Sequence, residues 1–310
     1  MQVYPREVGP GCLQSIFYQG GAAVGVSARG DVLTWGIVAS ILTSVDAQGF
    51  GRVDLQGASL RMAAVPGSFG LLDTSDGLYW KGGMVTKVAF PQNEGIYVPE
   101  LTAVPLPGTV KQLAATDHAC VLLEDGSLYC WGRNEYGQLG LGLDVTIAEP
   151  TLVPAPGPLG EVVAGRDHTC VLDEAGTAYC TGANPNGWLV GNGAPELVGE
   201  LTAVAGIPPL RGLVSDSHET CGVAGTDFWC WGGPNGPRLL EGVGGLEVID
   251  LSMREGVGNV AEFDPENVCA LFADGSVHCR GFEFGLANCL QPVDGWHQID
   301  FGLESCEGIL

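Results

Sequence analysis

The sequence predicts an all-β protein made of one β-hairpin repeated at intervals of about fifty residues. Three observations carry that prediction. The first is the stretch His118-Ala-Cys-Val-Leu-Leu-Glu-Asp-Gly-Ser-Leu-Tyr-Cys-Trp-Gly132, two apolar runs around a polar Glu124-Asp125-Gly126 turn. A three-residue loop centred on Asp125, with Gly126 in the left-handed position, sets Cys120 opposite Cys130. Directly opposed strand residues have Cα atoms about 4.5–5.5 Å apart, a separation that a disulfide tolerates. The second is recurrence. His168 to Gly182 repeats the pattern around Ala175 with Cys170 facing Cys180, and Cys269 faces Cys279 around Ala273-Asp274-Gly275. The third is a compensated change. Between Cys221 and Cys230 the spacing is one residue shorter and so is the turn, Gly225-Thr226, which suits a two-residue loop led by Gly.

Taken in order, residues 1–16 hold an extended piece, Gln2-Val-Tyr4, and a Pro/Gly linker that reads as a closing strand. Ala22 to Gly36 is a copy without cysteines, with Val24 opposite Thr34 around Ala28-Arg29-Gly30. Ser68 to Gly83 keeps an Asp76-Gly77 turn and an aromatic second strand, Tyr79 and Trp80. Closing glycines recur at Gly36, Gly82, Gly132, Gly182, Gly232 and Gly281. Residues 37–60 and 84–109 read as divergent outer parts of the first two copies; 143–160, 194–209 and 233–245 read as connections. Gln298 to Cys306 aligns without gaps on Gln112 to Cys120, so a seventh copy begins there.

Each well-formed hairpin is followed by a distinctive loop. Arg133-Asn134-Glu135-Tyr136-Gly137-Gln138-Leu139-Gly140 is one, and Asn184-Pro185-Asn186-Gly187-Trp188-Leu189-Val190-Gly191 is a looser second. His-x-Cys, Asp-Gly and Trp-Gly followed by Asn-x-x-Gly-Gln-Leu-Gly resembles the repeat of the RCC1 (regulator of chromosome condensation) family, most sharply over 110–195, in a secreted, disulfide-containing form of bacterial type. The resemblance implies a seven-bladed β-propeller of four-stranded blades. It would be a single domain over 1–310 whose ring is closed by the N- and C-terminal segments.

Composition narrows the function. The 49 glycines and 19 prolines suit short strands joined by tight turns. No apolar run reaches the eighteen residues of a membrane span. Thirteen basic residues against 36 acidic ones give a net charge of −23, which opposes phosphate neutralisation and hence nucleic-acid binding. Of the eleven cysteines, eight fall into the four facing pairs, and Cys12, Cys289 and Cys306 remain. A staple from Cys12 to Cys306 would lock the ring and leave Cys289 free, or joining two chains into a dimer of an otherwise monomeric protein; other pairings stay open. Paired thiols persist outside the reducing cytosol, so the expected location is secreted, periplasmic or at the cell surface. The competing reading is eight reduced cysteines filling small apolar positions. Met1-Gln-Val-Tyr-Pro lacks a leader's basic start and apolar stretch, so such a chain would be a mature or trimmed form.

Residues that could carry chemistry do not converge. His118 and His168 recur one per repeat, too far apart to share an ion, and read as hydrogen-bonding scaffold residues. No nucleophile elbow or phosphate loop is present, so no catalytic residue, metal or cofactor is expected. Trp35, Trp131 and Trp231 follow the repeat and read as core; Trp188 and Trp296 do not, and read as contact residues. The sixth copy carries an insertion of about ten residues between 252 and 268. In a four-stranded meander the first and third connections share a face, so the insertion joins the two distinctive loops. That loop face is the expected binding face, with Arg133, Asn134, Tyr136, Asn184, Asn186, Trp188, Arg254, Glu255, Phe263 and Asp264 as its residues. A tolerated insertion without a role is the plainer alternative.

The function expected from the sequence is therefore a non-enzymatic extracytoplasmic module that presents a loop face to a protein partner. A carbohydrate-binding or glycan-active propeller, using surface carboxylates and tryptophans, is the alternative. Guanine-nucleotide exchange on a small GTPase is implied by the resemblance to the family's namesake, and the acidity, the three lysines and the facing cysteines all oppose it.

Overall fold

The computed structural model describes residues 13–19, 22–27, 30–36, 51–64, 69–83, 97–143, 147–191, 194–216, 218–233, 236–240, 242, 245–253, 268–274, 276–281 and 293–298. Among these, the strands form six four-stranded sheets, each an antiparallel meander in chain order. The first joins β1 (Leu13–Gln19), β2 (Ala22–Ser27), β3 (Val32–Gly36) and β4 (Gly51–Val53). The second joins β5 (Leu60–Ala64), β6 (Phe69–Thr74), β7 (Gly77–Gly83) and β8 (Tyr97–Ala103). The third joins β9 (Val110–Ala115), β10 (His118–Leu123), β11 (Leu128–Gly132) and β12 (Ile147–Leu152). The fourth joins β13 (Leu159–Ala164), β14 (His168–Asp173), β15 (Ala178–Ala183) and β16 (Leu197–Ala203). The fifth joins β17 (Arg211–Ser215), β18 (Thr220–Ala224), β19 (Asp227–Trp231) and β20 (Arg238–Leu240). The sixth joins β21 (Val248–Met253), β22 (Val268–Phe272), β23 (Val277–Gly281) and β24 (Val293–Gln298).

The central hairpins have the expected register. Cys120 pairs with Cys130, Cys170 with Cys180, Cys221 with Cys230 and Cys269 with Cys279. Val24 faces Thr34 in the first sheet. The turns supply the reason. Gly126 and Gly176 close three-residue loops at φ 81° and 83°, and Gly225 leads the shortened two-residue loop at φ 66°. Asp125 reinforces its turn by accepting the Ser127 amide at 3.0 Å and hydroxyl at 2.6 Å, and Asp274 does the same with Ser276 at 2.9 and 2.6 Å. These bonds hold both carboxyls below the usual aspartate range. In the second sheet Thr74 pairs with Gly77, so the loop is Ser75-Asp76 rather than the expected Asp76-Gly77.

Three of the facing pairs are disulfides, Cys120–Cys130, Cys170–Cys180 and Cys221–Cys230, with Cα separations of 4.2, 4.2 and 4.0 Å. All six cysteines are fully buried. The backbone of Cys269 and Cys279 has the same register, while their side chains lie outside the described residues, as do Cys12, Cys289 and Cys306. Gln298, the expected first residue of a seventh copy, ends β24, the outer strand of the sixth sheet. The rest of that copy, the closing strand at Gln2-Val-Tyr4 and with them the seventh blade lie outside the described residues.

The chain divides into two compact units, the first holding the first three sheets and the second the other three, together with the segment 134–143. In the first unit, Val24, Val26 and Val32 pack with Leu72, and Leu71 and Trp80 of the second sheet pack with Val121 and Trp131 of the third. In the second unit the fourth and fifth sheets share a core of Cys170, Cys180, Leu189, Leu213 and Trp231. The fifth and sixth share another around Phe228 and Phe272. A blade-like sheet is apolar on both faces and buries both only against its neighbours, which is why runs such as β10 are buried end to end.

Candidate interaction loops

The loops after the third strands begin at a glycine with positive φ. Gly132, Gly182 and Gly232 take φ of 106°, 122° and 100°. A Cβ on Gly182 would run into the carbonyl oxygen of Asp167, and one on Gly232 would lie 2.7 Å from the carbonyl oxygen of His218. That explains the repeated closing glycine: the strand turns out of the sheet directly against the first connection.

Beyond it, the chain folds around an asparagine. Asn134 Oδ1 accepts the Leu139 amide at 3.0 Å, and its Nδ2 donates to the Gly142 carbonyl at 3.1 Å. Asn184 accepts the amides of Leu189 at 2.8 Å and Val190 at 3.1 Å, and donates to the Pro195 carbonyl at 2.8 Å. Both asparagines are buried. The loop then clasps the following sheet. Thr169 Oγ1 donates to the Gln138 carbonyl at 2.7 Å, Thr181 Oγ1 lies 2.7 Å from the Gly137 carbonyl, and the Gly142 amide donates to Gly199. The Trp188 carbonyl likewise accepts the Gly232 amide of the fifth sheet at 2.9 Å. Within the second unit, the motif that carries the family resemblance thus fastens its loop to the sheet that follows.

A second element at the same end of the second unit is the first connection of the fifth sheet, 216–219. Asp216 Oδ1 accepts the His218 and Glu219 amides at 2.8 and 2.7 Å. Ser215 Oγ, at 2.9 Å from the Glu219 carbonyl, closes the loop from below. The Ser215 hydroxyl and Thr220 Oγ1 also bracket His168 Nε2 of the fourth sheet, at 3.1 and 2.9 Å. With His168 neutral and Nε2 carrying the proton, His168 donates to Thr220 and the serine hydroxyl stays free to donate to the loop. Burial, and secondarily the nearby His218, push the His168 pKa down to about 4. So buried, and facing a serine bound to main-chain carbonyls, His168 fastens the fourth sheet to the fifth. Its ring packs against Gly165, where a Cβ would run into the imidazole Cε1. Gly165→Ala should therefore cost about 1–3 kcal/mol as an overpacked site; an unchanged urea midpoint would contradict the packing.

Glu219 stands two residues before Cys221, where the other copies have His118 and His168. Its side chain is 2% exposed and forms a two-point ion pair with Arg238 of β20, Nη2 donating to Oε2 at 2.8 Å and Nη1 to Oε1. Sequence reading did not single out this pair. The signal was present in the substitution of Glu at a repeated His position, which calls for a cation nearby.

The ten expected contact residues divide. Asn134 and Asn184, expected to face a partner, are buried and occupied by their own loops, because a loop without strand pairing must satisfy its amides internally. Asn186 is exposed at φ 55°, Glu135 beside Tyr136 is exposed, and Tyr136 and Trp188 are half-buried. Arg133, half-buried, goes with the first unit and donates to Asp117 at 3.2 Å. Arg254, Glu255, Phe263 and Asp264 lie outside the described residues, as does Trp296's side chain. Among the described residues, no group of three or more His, Cys, Asp or Glu side chains is placed to hold a metal ion, and no helix is long and apolar enough to cross a membrane.

Among the described residues, four-stranded antiparallel sheets repeated in chain order define a repeat protein of the β-propeller class. Models of the regulator of chromosome condensation (RCC1) repeat match residues 125–172 and 161–187, and over that stretch the chain is similar to this repeat family. Solved structures agree on the fold. Human WBSCR16 superposes with a TM-score of 0.76 at 17% identity, over 94% of this chain and 83% of that one. Prp20p of Saccharomyces cerevisiae, whose structure is described with its binding properties to Gsp1p and histones, gives 0.74 at 15% identity, over 93% and 77%. The structure of Kap60 bound to yeast RCC1 (Prp20) gives 0.74 at 15% identity, over 93% and 75%.

Proposed function

We propose that this chain is an extracytoplasmic, non-enzymatic binding module that recognises a protein through the tips of its third-connection loops. The observation that carries this reading is the division of labour within each loop: Asn134 and Asn184 are buried and fix the backbone, leaving Glu135, Tyr136, Asn186 and Trp188 at or near the surface on a rigid base. Pre-ordered loops bind without a large ordering cost, and Tyr and Trp are the side chains most often dominant at interfaces. The yeast Prp20p structures, described with protein partners, are in keeping with protein binding on this fold. Three buried disulfides support an oxidising location.

The test uses the oxidised chain, immobilised, against protein from the medium or envelope in which it is found. Saturable capture should weaken at least about thirtyfold in a Tyr136→Ala/Trp188→Ala variant, the loss of about 2 kcal/mol that marks an interface hot spot. It should be unchanged in Asp125→Ala and Asp274→Ala, which alter the hairpin turns. Binding that survives the loop variant, or free thiols throughout the native protein, would overturn the proposal in its surface or its location respectively.

A further inference from the structure

The Cys170–Cys180 bridge lies inside its own blade, yet it is also touched from the next. Trp231 Nε1 of β19 donates to Cys180 Sγ at 3.2 Å, and Thr220 Oγ1 of β18 lies 3.5 Å from Cys170 Sγ. All four residues have zero exposure. The first unit holds the matching case without a bridge. Trp131 occupies the same repeat position as Trp231, one residue after a paired cysteine, and packs against the second sheet, where Leu71 faces Trp80 in place of two cysteines. There the Trp131 indole N–H is buried with no acceptor. The same side chain in the same position is satisfied where sulfur precedes it and orphaned where sulfur is missing. Leaving a buried N–H without a partner is costly, so the bridge contributes to the junction as well as to its hairpin.

We propose that the Cys170–Cys180 disulfide is the docking acceptor that seats the fifth blade on the fourth, and that it makes the 216–219 loop redox-sensitive. Reduction by an external dithiol breaks the sulfur–sulfur bond. The dithiol gives up two electrons and two protons and closes to its own disulfide, and Cys170 and Cys180 become two thiols. Two separate thiols each carry an added hydrogen and are no longer held together, and no part of this close-packed site is exposed to give them room. The sulfurs must therefore push on the side chains that rest on them, Thr220 and Trp231. Thr220 Oγ1 is 3.2 Å from Ser215 Oγ, and that hydroxyl closes the loop through the Asp216 and Glu219 carbonyls. Displacing Thr220 thus loosens the loop that carries His218 and the Glu219–Arg238 pair.

Amide hydrogen exchange on the full chain tests this in a Cys221→Ala/Cys230→Ala background, which removes the fifth blade's own bridge. Reduction with dithiothreitol should speed exchange of 216–219 by about fivefold to tenfold, the equivalent of one lost buried hydrogen bond. Adding Cys170→Ala/Cys180→Ala should abolish that response, and no response with both thiols shown to be alkylated would overturn the proposal. In the otherwise native, oxidised chain, Trp231→Phe should by itself raise exchange at 216–219 by a similar factor. Unchanged exchange there would overturn it independently, should the first background fail to fold.

Discussion

Arg238→Ala is expected to destabilise the protein by about 3–5 kcal/mol, the usual consequence of leaving one member of a buried ion pair alone. Glu219 is 2% exposed and the Arg238 side chain 16%, so the pair is largely desolvated. Against a typical domain stability of about 5–15 kcal/mol, the loss would bring the second unit close to unfolding at ordinary temperature. Glu219→Ala should cost less than Arg238→Ala, because it leaves a more exposed cation. The double variant should fall well short of the sum, since a pair removed whole leaves no orphaned charge. Urea denaturation of the four proteins measures this. Strict additivity, or a loss below about 1 kcal/mol for Arg238→Ala, would mean that the pair behaves as a surface salt bridge.

The second large effect is a pH dependence that belongs to His168. Its folded pKa is about 4 and its unfolded value is near 6.5. Above pH 6.5 the imidazole is neutral in both states and contributes no pH dependence. As the pH falls through 6.5 the unfolded chain takes up a proton that the folded one refuses, and stability declines until about pH 4, where the folded form is protonated as well. The difference corresponds to about 3 kcal/mol. The comparison is with His168→Asn, which removes the titrating group from both states. The wild type should lose about 3 kcal/mol more than the variant between pH 7 and pH 4. Parallel stability curves would show that the ring is solvated or already charged in the fold.

Much of this architecture was legible in the residues. Cys221 and Cys230 approach by one position as their turn shortens, and only a cross-strand pair makes that compensation necessary. The glycine after the third strand recurs because a side chain there would strike the first connection; the sequence records the need without naming its cause. The Asn-x-x-Gly-Gln-Leu-Gly loop was legible as a motif but not in its role. Motif strength marked the residues that the fold requires, and a buried asparagine satisfying its own loop produces the same signal as one that binds a ligand.

What the sequence determined by itself is local: strand, turn and register, and with them which cysteines face each other. These follow from side-chain alternation and turn chemistry within about fifteen residues. Only the tertiary structure decided what meets across sheets. It brought His168 between two hydroxyls some fifty residues on, Glu219 to Arg238, and the Trp231 indole to a sulfur of the preceding blade. Such contacts depend on how one sheet is packed against the next. That geometry is set by the sum of many weak apolar contacts and by no pair of residues that a linear pattern could single out.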